Sequence, residues 1–93
     1  MKNDKEHEEA LEMEVLSCLY FVEPFDKIVE ECGIERNIIA DVLKNLIARK
    51  MVSAMVFDEQ YNEYKRTFIF DSDNMQNYHF LATKEGLMRH NGM

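Results

Sequence analysis

The sequence predicts a small α+β domain, with three helices first, antiparallel strands next and a short helix to close. Three observations carry this expectation. Apolar residues recur at helical spacing from about residue 7 to residue 49. From Met51 the pattern turns extended, in VSAMVF, YKRTFIF and YHFLA, which are rich in β-branched and aromatic residues. Thr83, followed by KEGLM, then reads as the cap of one more helix.

The first helix is expected over residues 7–22. Leu11, Val15, Cys18, Leu19 and Val22 fall at i, i+4, i+7, i+8 and i+11, a buried stripe. Met13, Leu16 and Tyr20 form a second apolar row, which seats either the closing helix or a second subunit, core packing being preferred. Glu8, Glu9, Glu12 and Glu14 fill the side left to water.

Glu23-Pro24 breaks this pattern, because proline disfavours helix in the residue before it and suits the first turn of a new one. A second helix follows from about Pro24 to Cys32, with Phe25, Ile28, Val29 and Cys32 on one face. Gly33 supplies the positive φ that closes a helix, and Ile34 plugs the turn. The third helix runs from about Glu35 to Arg49 and buries Ile39, Val42, Leu43 and Leu46, flanked by Ile38 and Ile47. Its outer face carries Arg36, Asn37, Asp41, Lys44 and Asn45. Between the strands, DEQYNE and DSDNMQN supply turn-forming residues, so two or three strands joined by hairpins are expected.

With 93 residues, 46% apolar and 31% charged, the chain suits one domain, 1–93, and is too apolar for a disordered one. No apolar run is long enough to span a membrane, and the charged start MKNDKEHEEALEMEV lacks a secretory signal, so a cytoplasmic protein is expected. Cys18 and Cys32 sit inside helical patterns without a CxxC or a histidine cluster. They read as reduced core residues, and no metal site is expected. His7, His79 and His90 are scattered, and no nucleophile elbow, phosphate loop or metal triad is present. The chain is therefore expected to have no catalytic residue and no cofactor, and not to be an enzyme.

The net charge is −7 and unevenly placed. Residues 1–33 hold three Lys against ten acids, residues 34–66 hold six Lys or Arg against five acids, and residues 67–93 hold two against three. The acidity thus belongs to the first two helices. It reads as a solvated face; the sharper readings are that it turns DNA away from that side or meets a basic partner protein.

Helix, helix, turn, helix, β-hairpin and closing helix is the order of a winged helix-turn-helix domain. VLKNLIARKMV resembles the exit from the third helix into the wing in many bacterial regulators. YHFLATKEG resembles the return strand and threonine-capped final helix of MarR- and PadR-type regulators. The resemblance implies a helix-turn-helix over 24–49, wing strands over 51–82 and a C-terminal helix over 83–91, in a three-helix bundle with a β-hairpin wing. It further implies a homodimeric, sequence-specific transcriptional regulator that binds double-stranded DNA. Arg36, Asn37, Asp41, Lys44 and Asn45 would face the major groove, and Lys65 and Arg66 the flanking phosphates. Asp41 departs from this pattern, because a carboxylate suits DNA only if it accepts from a cytosine amine or has a local partner such as Lys44 or Asn45.

Each contact has a plainer reading: a solvated helix face for Arg36, Asn37 and Lys44, and a charge-protected strand edge for Lys65 and Arg66. The alternative function is a winged helix protein-interaction module that never touches DNA. A weaker third is a small-molecule sensor with Tyr20, Phe21, Phe25 and Phe57 lining a pocket.

Overall fold

A computed structural model describes residues 4–92. Its elements are α1 (Asp4–Ser17), β1 (Glu23–Pro24), α2 (Phe25–Cys32), α3 (Arg36–Ala48), β2 (Val52–Asp58), β3 (Glu63–Thr67), β4 (His79–Ala82) and α4 (Lys84–His90). A short 3-10 turn, Met75–Asn77, precedes β4. The strands form one antiparallel sheet in the order β1-β4-β2-β3. The chain is therefore α+β, as its pattern predicts. Among the described residues no helix is long and apolar enough to cross a membrane.

The core lies between the helices and one face of the sheet. Val15, Leu16 and Leu19 meet Ile28 of α2, Ile39, Leu43 and Leu46 of α3, and Val52, Ala54, Phe80 and Ala82 of the sheet. Pairing sets Val52 opposite Ala82 and Ala54 opposite Phe80, so alternate residues of β2 and β4 share the inward side. A small residue opposite a large one lets the Phe80 ring reach Phe25, edge to face at 6.5 Å between centroids.

α1 stops at Ser17, five residues before its expected end. Its last turn tightens: the Cys18 and Leu19 amides bond to the carbonyls of Val15 and Leu16, at 3.0 Å each. The Leu19 carbonyl then accepts from the Ala82 amide of β4. Glu23 and Pro24 follow as an edge strand, a place where proline's missing N–H does no harm. Helical periodicity alone does not show this tie to the sheet.

Glu12 is a second correction. It is only 7% exposed, not on the wet side, and one carboxylate holds two arginines. Arg49, just past α3, lies 2.5 Å from Oε2, and Arg89 of α4 lies 2.6 Å from Oε1. The second apolar row of α1 seats α4, as the core reading has it. Leu16 is fully buried beside Gly86, and the Tyr20 hydroxyl lies 2.8 Å from His90 Nδ1.

Thr83 caps α4 as its sequence predicts. Its Oγ1 accepts from the Gly86 amide at 3.1 Å and donates to the Lys50 carbonyl at 2.7 Å. Its amide bonds to the Met51 carbonyl at 2.9 Å. Together these contacts press α4 against the start of β2. A Cβ on Gly86 would lie 2.1 Å from the Met51 carbonyl oxygen, so only glycine fits.

Candidate nucleic-acid interface

The unit formed by α2, the turn and α3 is built as its sequence predicts. Gly33 takes φ 67° and its amide caps α2 on the Val29 carbonyl, while half-buried Ile34 packs against the core. These contacts fix the direction of α3. Ile39, Val42, Leu43 and Leu46 are buried, leaving Asn37, Asp41, Lys44 and Ala48 exposed at i, i+4, i+7 and i+11.

The expected contact residues do not share one surface. Asn37, Asp41 and Lys44 lie down the open face of α3. Arg36 turns back to α2, where Nη1 donates to Asp26 at 2.6 Å and the guanidinium sits 4.9 Å over the Phe25 ring. Asn45 lies on the opposite flank, in a groove of ≈ 160 Å³ lined also by Glu8, Leu11, Ile38 and Asp41. The local partner that Asp41 requires is Lys44, at 3.6 Å.

The hairpin β2–β3 separates its two cations. Lys65 pairs with Val56 and shares the sheet face of Ala54, whereas Arg66 pairs with Met55 on the other face. Lys65 also lies 2.9 Å from Asp58 and 4.6 Å over the Tyr61 ring. The Lys65 hydrogen bond holds the Asp58 carboxyl below its usual range, and the same bond raises the Lys65 amine. Arg66 stacks on Phe68 at 4.7 Å.

Arg36, Lys44 and Lys65 therefore each carry a carboxylate partner. Among the described residues Lys50, Arg66 and Lys84 are in no ion pair. Lys50 and Arg66 line one cleft of ≈ 290 Å³, with Ile47, Ala48, Ala54 and Phe68, where the end of α3 meets the hairpin. Lys50 was not among the expected contacts. Its signal was the basic pair Arg49-Lys50 at the helix exit, of which Arg49 is taken up by Glu12.

The aromatic pocket foreseen for a sensor does not form. Tyr20 bonds to α4, Phe21 is 77% exposed, Phe25 packs on Phe80 and Phe57 on Tyr64. Among the described residues no group of three His, Cys, Asp or Glu is placed to hold a metal ion. Compared with known proteins, the chain matches no family model, no curated protein and no solved structure.

Proposed function

We propose that this chain is a winged helix-turn-helix protein whose α3 enters the major groove of double-stranded DNA, as a homodimeric transcriptional regulator. The order of helices and strands supports the fold. The observation that carries the function is the open face of α3, where Asn37, Asp41, Lys44 and Ala48 are exposed to solvent. This face is narrow and polar and has no aromatic anchor, which suits base edges better than a protein hot spot. Asn37, at the N-terminal end of α3, would read adenine. Lys44 and Lys50 would meet phosphates, with Arg66 at the flank.

The ion pairs on Arg36, Lys44 and Lys65 do not oppose this role strongly. The pairs on Arg36 and Lys44 are solvent-exposed on both sides and that on Lys65 on the lysine side, and exposed pairs contribute about 0–1 kcal/mol, so a phosphate can replace the carboxylate. Few cations remain unpaired, so binding is expected to be modest and to weaken with salt.

The second reading, a protein-interaction module of the same fold, rests on the hairpin. Tyr61, at the turn, and Phe68 and Ile69, beyond the other end of β3, are 62%, 79% and 88% exposed, and exposed apolar side chains of this size suit a protein partner. Titration of labelled duplex DNA at low salt distinguishes the two. Arg36→Glu with Lys44→Glu should abolish binding by a chain that remains folded. If the double variant binds as the wild type does, α3 is not the DNA-facing helix.

A further inference from the structure

Cys18 and Cys32 touch in the fold, their Sγ atoms 3.6 Å apart. The sequence reads them as reduced core residues; Cys32 does pack against the core, and what the sequence does not show is their mutual contact. Cys18 follows the end of α1, and Cys32 is the last residue of α2, directly before the turn at Gly33. Both are free thiols, half-buried rather than sealed in the core. Ser17 Oγ lies 3.9 Å from the Cys18 sulfur, and the Cys32 thiol points at the Glu14 carbonyl oxygen at 4.0 Å.

From this contact we propose that Cys18 and Cys32 form a reversible dithiol–disulfide switch, oxidised by low-molecular-weight disulfides, whose closure staples α1 to the turn that orients α3. A disulfide needs the sulfurs to close to about 2.05 Å. Both cysteines sit at a helix end, where the backbone yields more readily than inside a helix. The bond would fasten the two segments on which the direction of α3 depends.

The order of the chemistry follows from the surroundings. Burial, the contact with Cys18 and the charges of Glu14 and Glu31 push the Cys32 thiol up to about 12. Cys32 is thus protonated near neutral pH and its thiol hydrogen faces the Glu14 carbonyl, so the first attack falls to Cys18. The Cys18 thiolate attacks one sulfur of glutathione disulfide, forms a mixed disulfide and releases one glutathione thiolate. This capture also removes the Cys18 charge that opposes ionisation of Cys32. Cys32 then gives its proton to solvent and attacks the Cys18 sulfur, and the second glutathione thiolate leaves. Two cysteine thiols are oxidised to one disulfide while one glutathione disulfide is reduced to two thiols. Both steps need a thiolate, so closure speeds up as pH rises.

Closure is independent of what α3 binds, and mass alone reads it. The full chain is equilibrated at pH 8 with graded ratios of reduced to oxidised glutathione, alkylated and weighed. The expected product at oxidising ratios is a monomer about 2 Da lighter, closed to alkylation and restored by dithiothreitol. Cys32→Ser should instead accumulate a glutathione adduct on Cys18. Two alkylated thiols at every ratio, or separate adducts on Cys18 and Cys32 with no internal bond, in protein shown folded by circular dichroism, would overturn the proposal.

Discussion

Arg89 of α4 donates to the Glu12 carboxylate of α1 at 2.6 Å, across 77 residues of sequence. With Arg49 on the other oxygen, this one side chain ties together α1, the end of α3 and α4. Burial alone would raise its pKa, but hydrogen bonds and charge from Arg49 and Arg89 outweigh that and hold it below the ordinary glutamate value. Glu12→Gln is expected to lower stability by about 2 kcal/mol, the scale of charged hydrogen bonds lost from a buried site. Urea denaturation at neutral pH measures the difference.

The same clamp sets a pH dependence. A carboxyl whose folded pKa is depressed stabilises fully above its unfolded value, and that stability is lost as pH falls through the folded value. The gap between wild type and Glu12→Gln should therefore close as pH falls from about 4.5 through the lower folded value. A gap that persists unchanged to pH 2 would mean that ionised Glu12 is not what holds the helices.

Gly86 and Thr83 predict a ranked pair of variants. Gly86→Ala forces a methyl group onto the Met51 carbonyl and should cost about 3 kcal/mol. Thr83→Ala removes a cap and its bond to the Lys50 carbonyl, and should cost about 1–2 kcal/mol. Thermal melts of the two variants order them, and the reverse order would contradict the tight seat of α4.

Asp41 predicts a gain rather than a loss. Asp41→Asn removes a negative charge from the proposed groove face and frees Lys44. Affinity for duplex DNA at low salt should rise about three- to tenfold, with a steeper salt dependence. Unchanged affinity would place the DNA elsewhere.

Most of the fold could be read from the residues, because its helices carry strong periodic stripes and its turns carry their own chemistry. Gly33 and Thr83 occupy the cap positions that their types demand. What escaped depends on contacts between distant segments. The early end of α1 follows from the Leu19 carbonyl meeting Ala82, and the burial of Glu12 from two arginines far along the chain. Glu12 did carry one local sign, since the apolar Leu16 and Leu19 follow it at i+4 and i+7, on the same helix face. The site was legible in type but not in arrangement. Residue types cannot show that Arg36 turns to Asp26, or that neighbours on β3 place Lys65 and Arg66 on opposite faces.

The most direct test of the proposed groove face of α3 is selection of bound fragments from a random duplex pool at low salt, followed by a salt titration on the enriched sequence. DNA recognition by a two-fold dimer predicts enrichment of a pseudo-palindromic site whose affinity falls as salt rises, and loss of that site with Lys44→Glu. Failure of folded protein to enrich any sequence would contradict DNA recognition and turn attention to the exposed aromatic hairpin.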